Sequence, residues 1–220
     1  MFQENGALEY IAIGDSLTVG VGIPLFESGF VEMYKYYAQK HMQKRVVIHK
    51  YAQTGATTGE VIDILNSTCV QQSVKKADMI TITAGGNDMI DAAKRYLLEE
   101  NKEILVAALK TSIQNLHTMV RTVDQFIQEC EGPFIVRISN LYNPFPHERL
   151  MDKWINVYNH ELQKITSHPT IKVVDLYSIF KNNETELLSN DGIHPNKKGY
   201  EMIASTLDQL SYEPLTRLDD

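Results

Sequence analysis

The sequence predicts an α/β protein built on one parallel sheet of five strands, with helices on both faces. Three observations lead there. Five short runs rich in β-branched residues recur along the 220 residues. Longer segments with helical spacing separate them. Most of the runs are apolar throughout rather than strictly alternating, which is the pattern of strands covered on both faces. Strand–helix alternation of this kind forms parallel sheets through crossover connections.

Taken in order, the first strand is residues 10–13 (YIAI), followed by a helix at about 29–43. The second strand, 46–49 (VVIH), leads to a helix at about 58–70, with Thr57 or Thr58 as its N-cap. The third strand is 79–83 (MITIT). The helical pattern that follows, 89–131, is too long for one ordinary helix and breaks near 99–102. Its second part carries Ile104, Leu105, Ala108, Leu109, Ile113, Leu116, Val120, Val123 and Ile127 at spacings of three and four, a core-facing stripe. The fourth strand, 134–138 (FIVRI), precedes a helix at about 150–167. The fifth, 172–176 (KVVDL), precedes one at about 196–210. With no internal repeat and no linker-like segment, residues 1–220 read as a single domain. The polar tail 211–220 is expected to be loosely held.

Composition narrows the function classes. A chain of this length with 43% hydrophobic and 22% charged residues can bury roughly 70% of its unfolded surface. That excludes intrinsic disorder, and 12 Gly with 7 Pro exclude a collagenous or low-complexity chain. The net charge of −7 argues against a nucleic-acid partner. No run approaches the 18 or so apolar residues of a membrane span. The opening MFQENGALEY lacks the basic start and apolar run of a secretory signal. The expected location is cytoplasmic, or secreted if a leader has been removed. Cys69 and Cys130 form no CxxC pair and read as two buried, reduced thiols.

In an open parallel sheet, ligands bind beyond the carboxyl ends of the strands. After strand one comes Gly14-Asp15-Ser16-Leu17-Thr18. A serine entering a glycine-permitted turn can present its hydroxyl to the groove and its N–H to an oxyanion; the other reading is that Asp15 or Ser16 simply caps a helix. Thr18 stands where a Gly-x-Ser-x-Gly elbow needs its second glycine, so an α/β-hydrolase assignment is unsupported. After strand two, Gly55 could offer a backbone N–H. After strand three, Gly85-Gly86-Asn87-Asp88 lets the backbone approach a ligand while Asn87 supplies a neutral donor; an ordinary Asn-Asp turn is the alternative.

Near the C-terminus, Asp191 and His194 stand three apart in a loop closed by Gly192 and Pro195. The carboxylate can reach one imidazole nitrogen while the other faces the groove, which suits a general base. The other histidines, His41, His49, His117, His147, His160 and His168, lack such company. With no HExxH and no GxxxxGK[ST], zinc-peptidase and P-loop readings fall, and neither metal nor cofactor is expected. Gly20-Val21-Gly22 lacks the rest of a dinucleotide fingerprint.

Together the segments Gly14-Asp15-Ser16-Leu17, Gly55, Gly85-Gly86-Asn87-Asp88 and Asp191-Gly192-Ile193-His194-Pro195 resemble the GDSL, or SGNH, hydrolase family, over residues 11–200. The resemblance implies a flavodoxin-like three-layer α/β/α sandwich and a serine ester hydrolase. Ser16 would be the nucleophile, His194 the general base and then acid, and Asp191 the group that orients the imidazole. The N–H groups of Ser16 and Gly55, with the Asn87 side chain, would form the oxyanion hole.

Leu17, Tyr142 and Phe145 are the candidate substrate-binding residues, with Ile23, Pro24, Phe26, Pro144 and Trp154 as further wall candidates. The modest length of the apolar loop Tyr142–Pro146, which could cover the groove, and the acidic surface favour a small-molecule ester with a short-to-medium acyl group over an interfacial lipid substrate. A thioesterase or carbohydrate O-deacetylase with the same site is the nearest alternative. A non-catalytic flavodoxin-like module binding a small anion through its loop N–H groups is the more distant one. A monomer or small homo-oligomer is expected.

Overall fold

Five strands pair in parallel in the order β2-β1-β3-β4-β5: β1 Leu8–Gly14, β2 Val46–Ala52, β3 Met79–Thr83, β4 Ile135–Ser139 and β5 Ile171–Val174. The computed structural model describes residues 6–129, 132–166 and 168–216. Ten helices accompany the sheet among these residues. They are α1 Ser16–Val19, α2 Phe30–Met42, α3 Thr58–Asn66, α4 Thr68–Val74, α5 Gly86–Glu99, α6 Lys102–Glu129, α7 Arg149–Ile165, α8 Leu176–Phe180, α9 Glu184–Leu187 and α10 Lys197–Gln209.

The two faces of the sheet bury separate cores, sorted by the two-residue period of the strands. On β1, Ile11 and Ile13 join the core beneath α3–α7, while Tyr10 and Ala12 join the core beneath α2, α8 and α10. The architecture is thus the flavodoxin-like three-layer sandwich. The chain leaves β1 toward β2 on one side and returns to β3 on the other. The loops after β1 and β3 therefore diverge and open a crevice at the carboxyl edge, where such sheets hold their ligands.

Several expectations need correction. The helix expected over 58–70 is two helices, because Ser67 is extended (φ −67°, ψ 141°) and its hydroxyl donates to the Ile64 carbonyl at 2.7 Å. The expected break near 99–102 is present, with Glu100 left-handed at φ 51°. Leu176 belongs to α8 rather than β5, since Asp175 accepts the Ser178 N–H and starts the helix there.

Cys69 is exposed, because Val70 and Val74 turn inward on α4 and leave it facing water; Cys130 lies outside the described residues. The tail packs against the body of the protein as far as Leu215. Tyr212 and Leu215 are buried, Tyr212 stacks on Tyr34 at 5.8 Å, and the buried Arg137 donates to the Ser211 carbonyl at 2.6 Å. A guanidinium inside the sheet must find acceptors, and the tail's carbonyls supply them. Residues 217–220 of that tail lie outside the described residues.

Candidate active site

The first wall of the crevice is the turn after β1. At Gly14 a Cβ would stand 2.3 Å from Thr83 Oγ1 and 2.4 Å from the Thr83 carbonyl oxygen, so only glycine lets β1 and β3 lie this close here. Asp15 then caps α1. Its Oδ1 accepts from the Leu17 N–H at 3.1 Å and from Thr83 Oγ1 at 2.7 Å. Burial pushes the Asp15 carboxyl above its ordinary value, with the Thr83 and Leu17 hydrogen bonds acting against that rise. The next residue is Ser16, at the first position of the helix, where a backbone N–H has no partner within the helix.

Facing it is the loop between α9 and α10. His194 Nε2 lies 2.9 Å from Ser16 Oγ, across 178 residues of sequence. His194 Nδ1 lies 2.6 Å from Asp191 Oδ2. The other oxygen, Asp191 Oδ1, accepts from the N–H of Ile193 (2.8 Å), the N–H of His194 (2.9 Å) and Ser189 Oγ (2.9 Å). Partial burial works against ionisation of Asp191. These hydrogen bonds outweigh it and hold the carboxyl well below the usual carboxylate range.

Neighbours fix the loop in place. Asn196 caps α10 through the Gly199 N–H and donates to the carbonyls of Glu186 and Leu188. Tyr142, stacked on Phe180 at 4.2 Å, donates to the Ile193 carbonyl at 2.5 Å. At Gly22 a Cβ would come within 2.4 Å of the Pro195 carbonyl and 2.9 Å of His194 Cβ, so the 20–29 loop rests directly on the histidine loop.

The third wall joins the loops after β2 and β3. Asp88 accepts both the N–H and the hydroxyl of Thr58, at 2.8 and 2.6 Å, which clamps the start of α3 to the start of α5. Asn87 donates one amide hydrogen to the Ala56 carbonyl at 2.8 Å and shares the groove with Ser16 and His194. Gly55, left-handed at φ 83°, is exposed one residue before Ala56 and does not line the groove. Thr57 is the N-cap of α3.

The groove has a volume of about 50 Å³, and its apolar walls include Leu17, Met89, Ile90, Leu141, Tyr142 and Ile193. Leu17 and Tyr142 were expected there. Phe145 was too, but it turns away and packs against the core beneath α3–α7, leaving Pro144 at the groove. Trp154 is buried against Tyr158. Phe26 is 97% exposed at a loop tip, and Ile23 and Pro24 line a separate cleft beneath that loop. Met89, Ile90 and Ile193 were missed as wall residues, although Met89 and Ile90 come straight after the Gly85–Asp88 segment and Ile193 lies within the Asp191–Pro195 segment. Among the described residues, no group of three or more His, Cys, Asp or Glu side chains is placed to hold a metal ion.

The sequence profile of the GDSL-like Lipase/Acylhydrolase family matches residues 12–202. The chain belongs to that family. It is therefore a carboxylic ester hydrolase. It is 40% identical over 205 residues to the spore germination lipase LipC of Bacillus licheniformis, covering 93% of this chain and 97% of that one. Among solved structures it superimposes on the lipase Lip_vut3 from a goat rumen metagenome with a TM-score of 0.89 at 40% identity, over 95% of this chain and 100% of the other. The acetylxylan esterase Axe2 of Geobacillus stearothermophilus, at 18% identity and a TM-score of 0.70 over 94% and 95% of the two chains, shares the fold.

Proposed function

We propose that this GDSL hydrolase cleaves small carboxylic esters with short-to-medium acyl groups through an acyl-enzyme on Ser16. The observation that carries the reading is the continuous chain Ser16 Oγ–His194 Nε2, His194 Nδ1–Asp191 Oδ2, at 2.9 and 2.6 Å. A serine hydroxyl is a weak nucleophile until a neutral imidazole accepts its proton. Because Asp191 is held ionised it can only accept, so the imidazole carries its proton on Nδ1 and turns a lone pair on Nε2 toward Ser16.

The steps follow from that tautomer. Ser16 Oγ bonds to the ester carbonyl carbon as its proton passes to His194 Nε2, and the carbonyl π pair moves onto oxygen. The free N–H of Ser16 and the second amide hydrogen of Asn87 are the donors for that oxyanion. Collapse of the tetrahedral species breaks the bond to the alkoxy oxygen, which takes the proton from His194 and leaves as alcohol. Water then attacks the acyl-enzyme, giving its proton to His194, and the acid departs as Ser16 regains a proton.

The small groove supports a short acyl group, and the net charge of −7 supports an uncharged ester over a polyanion. A monomer is sufficient for this chemistry, since every residue assigned a role comes from one chain. The test is labelling with a fluorophosphonate probe, followed by turnover of a p-nitrophenyl ester series alongside acyl-CoA and acetylated xylose. Labelling of the wild type and not of Ser16→Ala, with fastest turnover of short p-nitrophenyl esters, is the expected result. A folded wild type that takes no label would return the site to a small-anion binder. Preference for acyl-CoA or acetylated xylose would move the substrate class while keeping the mechanism.

A further inference from the structure

The groove is not the only space beside the nucleophile. On the opposite side of the sheet edge, beneath α2, α8 and α10, lies a void of about 10 Å³ walled by Phe30, Val174, Leu176, Ile203 and Leu207. It is scarcely large enough for one water molecule. Two residues, Leu17 and Ser139, line both this void and the catalytic groove. Ser139 is small and its hydroxyl is turned to the Ile82 carbonyl at 3.4 Å. Among the described residues, Leu17 is therefore the one bulky side chain that borders both spaces. It packs into the same core as the residues that wall the void, and it is only partly buried.

We propose that Leu17 is the stop that limits acyl-chain length, and that the void beneath it is a blocked extension of the acyl subsite. The inference rests on the ester-hydrolase reading of the same groove. Leu17 follows the nucleophile directly, and its N–H is held by Asp15, so its backbone cannot yield without displacing Ser16. An acyl chain attached to Ser16 Oγ and directed toward Leu17 must end there or push the side chain aside. Shortening residue 17 joins groove and void into one apolar passage toward Ile203 and Leu207. Lengthening or broadening it closes the groove further.

The experiment reads the ratio of kcat/KM for p-nitrophenyl octanoate to that for p-nitrophenyl butyrate, so that each variant is its own reference. A methylene moved from water into apolar space is worth roughly fourfold. Leu17→Ala is expected to raise the ratio at least tenfold, Leu17→Val to raise it less, and Leu17→Phe to lower it. Leu207→Phe added to Leu17→Ala fills the far end and is expected to cancel the gain.

Should Leu17→Ala fail to fold, the opposite shifts of Leu17→Val and Leu17→Phe carry the same test. A ratio that stays at the wild-type value in these variants overturns the proposal, as does a gain that survives Leu207→Phe. A wild type inert toward every ester and toward the fluorophosphonate would overturn the ester-hydrolase reading, and this inference with it. An active wild type whose variants keep its ratio overturns this inference alone.

Discussion

Asp15 immediately precedes Ser16, and Asp191 lies three residues before His194, yet the protein treats these two carboxyl groups in opposite ways. Asp15 is 4% exposed and receives hydrogen bonds from one hydroxyl and one neighbouring N–H, and its burial raises the carboxyl above its ordinary value. Asp191 keeps 43% of its side chain exposed and faces four donors, from Ser189, Ile193 and twice from His194. Those donors prevail over its partial burial and hold it well below the carboxylate range. The carboxyl that pairs with an imidazole is left close to water and surrounded by N–H and O–H groups. The group that only has to shape a turn is buried. Proximity to Ser16 does not by itself decide how a carboxylate ionises; its donors and its exposure do.

The largest expected effect bears on the pair these carboxylates flank. Ser16→Ala should lower kcat by about 10⁶ and abolish fluorophosphonate labelling while leaving the thermal transition near that of the wild type. Asp191→Asn should cost about 10⁴. An asparagine can keep the Oδ1 bonds to Ile193, His194 and Ser189, so the loop retains its shape. Its amide hydrogens, however, point at Nδ1 and force the proton onto Nε2, where the imidazole can no longer accept from Ser16. Wild-type kcat in Asp191→Asn would make Asp191 a loop-shaping residue like Asp15 and erase the contrast. Because Asp191 is held low, its own protonation should not produce an acid limb in the wild-type kcat profile above the ordinary carboxylate range of about 4.

Asn87→Ala extends the comparison to the third wall. It should lower kcat by about 10²–10³, the usual cost of one oxyanion donor. It also removes the hydrogen bond to the Ala56 carbonyl, a loss of about 1 kcal/mol in stability. A fall in melting temperature with unchanged kcat would mean that Asn87 only ties the loops together, as Asp88 does through Thr58.

How much of this was legible in the sequence depends on what each residue answers to. The strands and the α5–α6 break were legible because burial on both faces and helical periodicity are written locally. That Ser16, Asn87, Asp191 and His194 come together was legible because a parallel sheet gathers the residues just after its strands at one edge, and those four residues stand there or in the loop before the last helix. Phe145 was not, because an irregular loop has no period to say which side chain turns inward. The tail's packing was hidden for a related reason: its polar composition masks Tyr212 and Leu215, and the Tyr34 ring on which Tyr212 stacks and the Arg137 that donates to the Ser211 carbonyl lie far away in sequence. The acyl stop at Leu17 needed coordinates, since the void behind it is assembled from α2, β5, α8 and α10.

The smallest expected effect is on stability, and it isolates Asp15. A carboxyl whose value is raised on folding contributes stability that is fully present below its unfolded value, about 3.9, and is lost as pH rises through the folded value. Asparagine at position 15 can still accept from the Leu17 N–H and the Thr83 hydroxyl, but it has no ionisation for burial to oppose. Relative to the wild type, Asp15→Asn should therefore gain stability as pH rises from about 4. A gain in melting temperature that grows with pH is the expected outcome, each 1 kcal/mol being worth about 2–4 °C in a chain of this size. Thermal melts of both proteins across that range give the answer. A difference that stays constant with pH would show that Asp15 ionises in the fold as freely as in water, and would leave Asp191 without its counterexample.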